Sequence, residues 1–256
     1  VTDHAFCVLA PNPGPMTLDG TNTWIVMAPA GEEAIVIDPG PLDEGHLAEV
    51  VHVVEDRGAR VRETILTHHH LDHSEAGPRF AELTGSRVRA VGRGHDDLAD
   101  GDVVRVRGVD LQVVATPGHT ADSISFALEA DNALLTGDTV LGRGTTVVAH
   151  PDGELDAYLD SLERIRALTG SGAVTTILPG HGPVVPDAAA MVEFYRVHRH
   201  ERLEQVRAAL AEGPTDADEV VETVLRRVYT DAPEAVWPAA RLSIRAQLDH
   251  LGVRWR

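Results

Sequence analysis

Residues 65–77 read ILTHHHLDHSEAG, and the six positions from 68 to 73 carry five side chains able to bind a metal ion: His68, His69, His70, Asp72 and His73. Packing gives no reason to gather four imidazoles and a carboxylate in so short a run. After the β-type segment ETILT an extended chain turns alternate side chains to the same side, so His68 and His70 converge on one point and His69 faces away. Asp72 and His73 follow where the chain must turn into a helix, and they aim at a second point nearby. The run therefore predicts one loop feeding two adjacent metal positions. Cys7 is the single cysteine, which excludes a thiolate-rich zinc site, so imidazole and carboxylate must hold any ion.

Two ions need more ligands than one loop supplies. Three further candidates stand in turns that follow β-type runs: His119 in ATPGHTADS, Asp138 in LLTGDTV and His181 in ILPGHGP. The glycine beside each lets the backbone turn sharply and approach closely. An aspartate among them has two oxygens and can bridge two cations, which completes the count.

The first two-thirds of the 256 residues alternate short β-branched runs with helical stretches. Strands are predicted at 21–28, 33–38, 63–67, 102–108, 109–116, 123–129, 132–138 and 173–180. Amphipathic helices are predicted near 43–57, 74–84 and 154–169, the middle one interrupted by Gly-Pro. This pattern implies an α/β (α+β) fold of layered sheets covered by helices. From about Asp187 the chain turns helical, at 187–211, 217–229 and 236–251, with Thr215 or Asp216 as the N-cap after the first break. The reading divides the chain into a site-bearing domain, 1–186, and a small helical domain, 187–256. The latter serves as a winged-helix-like module or lid over the substrate, or as a packing and dimerisation arm.

The formal net charge is −18, and nearly all of the excess lies before residue 190, because residues 190–256 hold 10 arginines against 11 acids. Such an acidic body lacks the basic footprint of a nucleic-acid binder, although bound divalent cations would reverse the sign locally and admit a short anionic substrate. No apolar run approaches the 18 or so residues of a spanning helix, and VTDHAFCVLAPNPG has no basic-then-apolar export pattern. A cytoplasmic protein with no membrane association is expected, the lone cysteine fitting a reducing compartment. Lysine is absent and all 22 positive charges are arginine, as in a GC-rich bacterial genome.

THHHLDH, GHT, GDT and GHG, in this order and spacing, resemble the H-x-H-x-D-H signature and later ligands of the metallo-β-lactamase superfamily. The resemblance implies a four-layer αββα sandwich with two divalent metals at one edge between its sheets, zinc being expected and iron or manganese the alternatives. His68, His70 and His119 would bind the first ion, Asp72, His73 and His181 the second, with Asp138 and a hydroxide bridging. Asp38, in VIDPG, stands where the superfamily often has an acid supporting the site; read alone it is as well a turn aspartate. Oxygen-reducing diiron relatives carry glutamate in place of His70, and authentic zinc β-lactamases usually lack an aspartate at Asp138. Hydrolysis is therefore implied, and antibiotic hydrolysis is not the expected main function.

NPGPMTLDGTNTWIV, LGRGTTVV and a helical tail after PGHGPVV are similar to the β-lactamase-like subfamily of single-strand-specific endoribonucleases and acyl-carrier thioesterases, which carry a winged-helix-like C-terminal domain. The expected function is hydrolysis of a small thioester or ester, because acidic charge disfavours a long polyanion, with Asp72 accepting or relaying the proton of the nucleophile. The alternative is an endoribonuclease on single-stranded RNA. Less favoured are a glyoxalase II-type hydrolase, a β-lactamase, and a non-catalytic nucleic-acid-binding regulator, the last opposed by the complete ligand set. Asn22, and Arg143, Thr145 and Thr146 in the GRGTT loop, are candidate substrate contacts, Arg143 for a carboxylate or phosphate; ordinary loop chemistry explains them as well. Other histidines, including His95 and His198, are read as surface or packing residues.

Overall fold

The computed structural model describes residues 2–92, 97–213, 219–230 and 233–255. Alternation of buried side chains decides its layers. In β2 (Asn22–Val26) and β3 (Glu33–Ile37), Trp24, Val26, Ile35 and Ile37 enter one core while Ile25, Ala34 and Val36 enter another. A sheet apolar on both faces must be covered on both. Its order is β1-β2-β3-β4-β5, with β1 at Ala5–Leu9, β4 at Arg60–Ile65 and β5 at Arg87–Arg89.

The second sheet has the order β10-β9-β8-β7-β6, built from β6 (Val103–Val106), β7 (Val109–Ala115), β8 (Ile124–Leu128), β9 (Ala133–Gly137) and β10 (Thr176–Pro179). Its Leu111, Val113, Phe126, Leu128 and Leu135 meet the first sheet in the central core. Helices α1 (Glu44–Glu55) and α3 (Gly77–Thr84), with the one-turn α2 (Leu71–Ser74) between them in the chain, lie beside the first sheet, whose outer face is covered through Leu47, Val50, Val54 and Phe80. On the far side α4 (Leu155–Gly170) and α5 (Ala188–Ala211) cover Val114, Leu134 and Ile177 with Tyr158, Leu162, Ile165, Val192 and Tyr195. The four layers are the αββα sandwich expected from the sequence.

All eight expected strands are present, with ends shifted by no more than three residues. Two were not legible. AFCVL of β1 is short and mixed in burial, and RVR of β5 has no apolar pattern; both are edge strands that borrow their register from a neighbour. Pairing of β3 with β4 slips between Ala34 and Ile35, so that Val61 faces Ala34 but Glu63 faces Ile35. The extra residue, Arg62, swaps faces along β4 and turns Ile65 into the central core just before the histidine run.

Asp187 caps α5 by accepting a hydrogen bond from the Ala190 amide at 3.0 Å. The helix serves two cores: Val192, Tyr195 and Leu203 pack on the second sheet, while Val206 and Ala209 pack with α6 (Val220–Val228) and α7 (Trp237–His250) through Val224, Leu225, Ile244 and Leu248. Among the described residues no strand follows Pro179. Thr215, Asp216 and His95 lie outside the described residues. No described helix is long and apolar enough to cross a membrane.

Candidate metal centre

Strand direction explains why distant residues meet. β3 and β4 are parallel, β9 and β10 are parallel, and β7 points the same way as β9 because β8 is antiparallel to both. The ends of these strands deliver Asp38 after β3, residues 67–73 after β4, His119 after β7, Asp138 after β9 and His181 after β10. The two sheets are tied at this edge: the Ile124 amide donates to Thr67 O at 2.9 Å, the Asn22 amide to Gly180 O at 2.8 Å and the Trp24 indole to Pro179 O at 3.0 Å.

The seven expected ligands converge: His68–His70–His119 and Asp72–His73–His181 form two adjoining clusters, each able to hold a metal, and Asp138 joins them through a third group with His68 and His73. His70 Nδ1 stands 3.0 Å from both His68 Nε2 and His119 Nε2. His73 Nε2 stands 3.2 Å from His181 Nε2, and Asp72 Oδ2 is 3.2 Å from His181 Nε2. Asp138 lies between the clusters, with Oδ1 3.4 Å from His73 Nε2, and Oδ2 3.5 Å from His181 Nε2 and 3.7 Å from His119 Nε2. Its buried Oδ1 makes no hydrogen bond. Nitrogens that face one another at contact distance around an unsatisfied carboxylate oxygen fit a divalent cation.

Acceptors behind four of the rings fix which nitrogen faces inward. His73 Nδ1 meets Asp38 Oδ2 at 2.8 Å, His119 Nδ1 meets Val147 O at 2.6 Å and His181 Nδ1 meets Gly20 O at 3.0 Å. Thr67 Oγ1 donates to Asp38 Oδ2 at 2.7 Å and so is left to accept from His68 Nδ1 at 3.0 Å. Every one of these rings therefore presents Nε2 to the centre. Asp38 is fully committed: it adopts a left-handed φ of 53°, is 1% exposed, and its Oδ1 also accepts from the Thr67 amide at 2.8 Å. A strained conformation that short polar side chains tolerate is held here by three hydrogen bonds to the site.

Charge divides the clusters. Burial, with the charges of His73 and His119, holds His68 well below its usual range; burial pushes His70 down to about 4, and it lowers His119. Burial also opposes charge on His73, but the Asp138 and Asp38 carboxylates outweigh it and raise that ring well above its usual range. His181 is likewise raised, to about 9, as Asp138 and Asp72 overcome burial. In return His73 and His181 overcome the burial of Asp138 and hold its carboxyl well below the usual range, and Asp72 is lowered by its hydrogen bond to His181.

His69 points away from both clusters, with Nδ1 2.9 Å from Asp122 Oδ1. His69→Ala is accordingly expected to leave the metal content of the purified protein unchanged; loss of metal in this variant, measured by elemental analysis, contradicts the assignment.

A cavity of about 350 Å³ opens beside His119 and Asp138, walled by Met16, Leu18, Leu141, Val236 and Ala240. Thr145 and Thr146 line it, and Thr146 Oγ1 also lies 3.2 Å from His119 Nδ1. Arg143 lines it too, although its guanidinium forms an exposed ion pair with Asp19. Asn22 does not: it is 5% exposed, and its amide donates to Pro179 O and Gly182 O at 2.9 and 2.8 Å, which secures the His181 loop. Arg199, Arg202 and Tyr229 of the C-terminal helices complete the wall. They went unrecognised in the sequence because nothing local marks a helical arginine that faces a site on another element. Thr67 was missed as well, its position just before the histidine run being the available signal.

Residues 16–94 and 89–181 match the family described as the metallo-beta-lactamase superfamily. The chain is 32% identical over 265 residues to a beta-lactamase-like protein 2 homolog of Caenorhabditis elegans, covering 98% of this chain and 85% of that one. It is 34% identical over 248 residues to an atrochrysone carboxyl ACP thioesterase of Aspergillus chevalieri, covering 92% of this chain and 76% of that protein. In fold it is similar to a metallo-beta-lactamase family protein of Thermus thermophilus, with a TM-score of 0.77 at 22% identity, over 97% of this chain and 93% of that one. Two parallel strand sets that bring the histidine run, His119, Asp138 and His181 to one edge, together with this sequence likeness along the whole chain, show that the protein belongs to the metallo-β-lactamase superfamily and is a hydrolase.

Proposed function

We propose that the protein is a dinuclear metal-dependent hydrolase of a small thioester or ester. His68, His70 and His119 would hold one ion and Asp72, His73 and His181 the other, with Asp138 placed between the two groups. Imidazole with carboxylate suits zinc, with iron or manganese as alternatives. Bound there, the ions would supply a water acidified to near neutrality and electrophilic stabilisation of the substrate oxygen that gains charge.

The chain's own residues do the rest. Asp38, Thr67, Val147 O and Gly20 O keep the rings in register. Asp72, partly open to solvent and ionised, accepts the proton of the attacking water. A thiolate, with an ordinary pKa of about 8.5, leaves without needing a proton. His198, the other cavity histidine, is pushed down to about 4 by burial and by Arg199 and Arg202, and so is not an acid at neutral pH.

The observation that carries the small-substrate reading is the cavity: about 350 Å³ with apolar walls beside Asp138, within the range for small-molecule pockets. The relative named as an acyl-carrier thioesterase supports it, as does the net charge of −18. The C-terminal helices are read as a domain that closes this cavity, and the protein as cytoplasmic. Assayed side by side on an acyl thioester, S-lactoylglutathione, single-stranded RNA and a chromogenic cephalosporin, the metal-loaded protein is expected to favour the acyl thioester. Preferred cleavage of RNA, with salt-sensitive binding, overturns the proposal in favour of the endoribonuclease reading.

The split in charge gives a second expectation. In the metal-free chain the Asp138, Asp38 and Asp72 carboxylates favour the charged forms of His73 and His181, whereas burial disfavours charge on His68, His70 and His119. Ligation requires deprotonation, so metal loading should release protons, mainly from the Asp72–His73–His181 position, and tighten with rising pH. Titration calorimetry in buffers of different ionisation enthalpy counts these protons; release of none contradicts the assignment.

A further inference from the structure

The cavity beside the metal centre is also lined by arginines of the C-terminal helices. Arg199, on α5, is 5% exposed and lines the cavity. Its Nη2 donates to Thr146 O, its guanidinium stands 4.9 Å from the centroid of the Tyr158 ring, and its buried Nε makes no hydrogen bond. Arg202 follows one turn later, donating to Val228 O at 2.6 Å and lying 4.5 Å from the Tyr229 ring centroid. Among the described residues neither guanidinium has a carboxylate partner. The contrast is with Arg79, Arg87 and Arg241, which pair with Glu44, Glu63 and Glu222.

This is a chain with 40 acids to 22 basic residues, so an acidic partner was easily supplied. A cation withdrawn from water is costly unless an anion meets it. One carboxylate, Asp138, does line the same cavity, but it is taken up by His73 and His181. Leu141, Val236 and Ala240 give the wall its apolar character.

We infer that Arg199, with Arg202 beside it, receives a carboxylate carried by the substrate, while the bond to be cleaved lies at the Asp138 end of the same cavity. The second clause rests on the hydrolase proposal above; the anion subsite does not. A guanidinium suits a carboxylate through paired hydrogen bonds, and the apolar wall suits an aliphatic segment of the substrate.

Three thioesters locate the charge: pentanoyl-N-acetylcysteamine carries none, glutaryl-N-acetylcysteamine places a carboxylate on the acyl half, and pentanoyl-3-mercaptopropionate places it on the thiol half. The metal-loaded wild type is expected to show at least about tenfold higher kcat/KM for one of the charged substrates than for the neutral one. Arg199→Met should bring that ratio close to one, chiefly through KM, and Arg199→Lys should restore part of it. Equal kcat/KM for all three in the wild type overturns the inference without reference to any variant. Equilibrium binding of glutarate against its uncharged diamide, glutaramide, separates the two claims. Preference for glutarate, lost in Arg199→Met, upholds the subsite even if no thioester is cleaved, an outcome that counts against the hydrolase proposal alone; equal binding of the two compounds overturns the subsite.

Discussion

Replacing Asp138 with alanine is expected to lower turnover at least roughly a thousandfold and to strip metal from the protein, while the fold remains. Its carboxylate reaches both clusters: its two oxygens lie 3.4 Å from His73, 3.5 Å from His181 and 3.7 Å from His119. The same carboxylate balances the charge that His73 and His181 carry, so its removal leaves two buried rings without their main counter-ion. Several kcal/mol of transition-state stabilisation at about 1.4 kcal/mol per decade sets the scale. Because the strands that precede Asp138 are held by the two-sided core, circular dichroism should stay native. An alanine variant that keeps both its metal and its activity removes the basis for the assignment.

The second large effect comes from a residue with no functional group. Gly180 precedes His181, and a Cβ there would lie 2.6 Å from Asp138 Oδ1, 2.8 Å from His73 Cε1 and 3.0 Å from the Gly137 carbonyl carbon. None of these can retreat cheaply. His73 is pinned by Asp38, Asp138 sits between the clusters, and the Gly180 amide donates to Gly137 O at 2.8 Å. Gly180→Ala must therefore displace ligands by a substantial fraction of an ångström. A misplacement of that order costs about a hundredfold in rate. Turnover should fall at least that far, with metal affinity weakened and the melting temperature shifted only modestly; wild-type kinetics in this variant would show that the close approach has no role.

How much of this was legible in the sequence depends on whether the signal was local. His68, His70, Asp72 and His73 share a single run whose alternation already separates them from His69. His119, Asp138 and His181 each stand in a glycine-framed turn after a β-type segment. The alternating buried residues of β2 and β3 carry the layer order in the same way. Longer-range information was not readable. The slip in β4 depends on pairing with β3, and β5 is a strand only because β4 lies beside it. Asn22 looked like a residue of the cavity mouth, yet its amide goes to loop carbonyls 157 and 160 residues away in sequence. Arg199 is one arginine among several on a long helix until the packing of α5 against the Thr146 loop sets it in the cavity wall.

Asp38 sits between these cases, since its place after a strand was visible but its role was not. The left-handed backbone and the hydrogen bonds to Thr67 and His73 assign that role. They also explain why a turn aspartate and a supporting acid were indistinguishable beforehand: the same residue is both.

The most direct test is the metal content of the whole chain. Stripped with a chelator and titrated with zinc under native mass spectrometry, the protein should take up two ions in distinct steps, and Asp138→Ala should fail to hold the pair. Binding of a single ion, or of none, contradicts a dinuclear centre built from these seven residues.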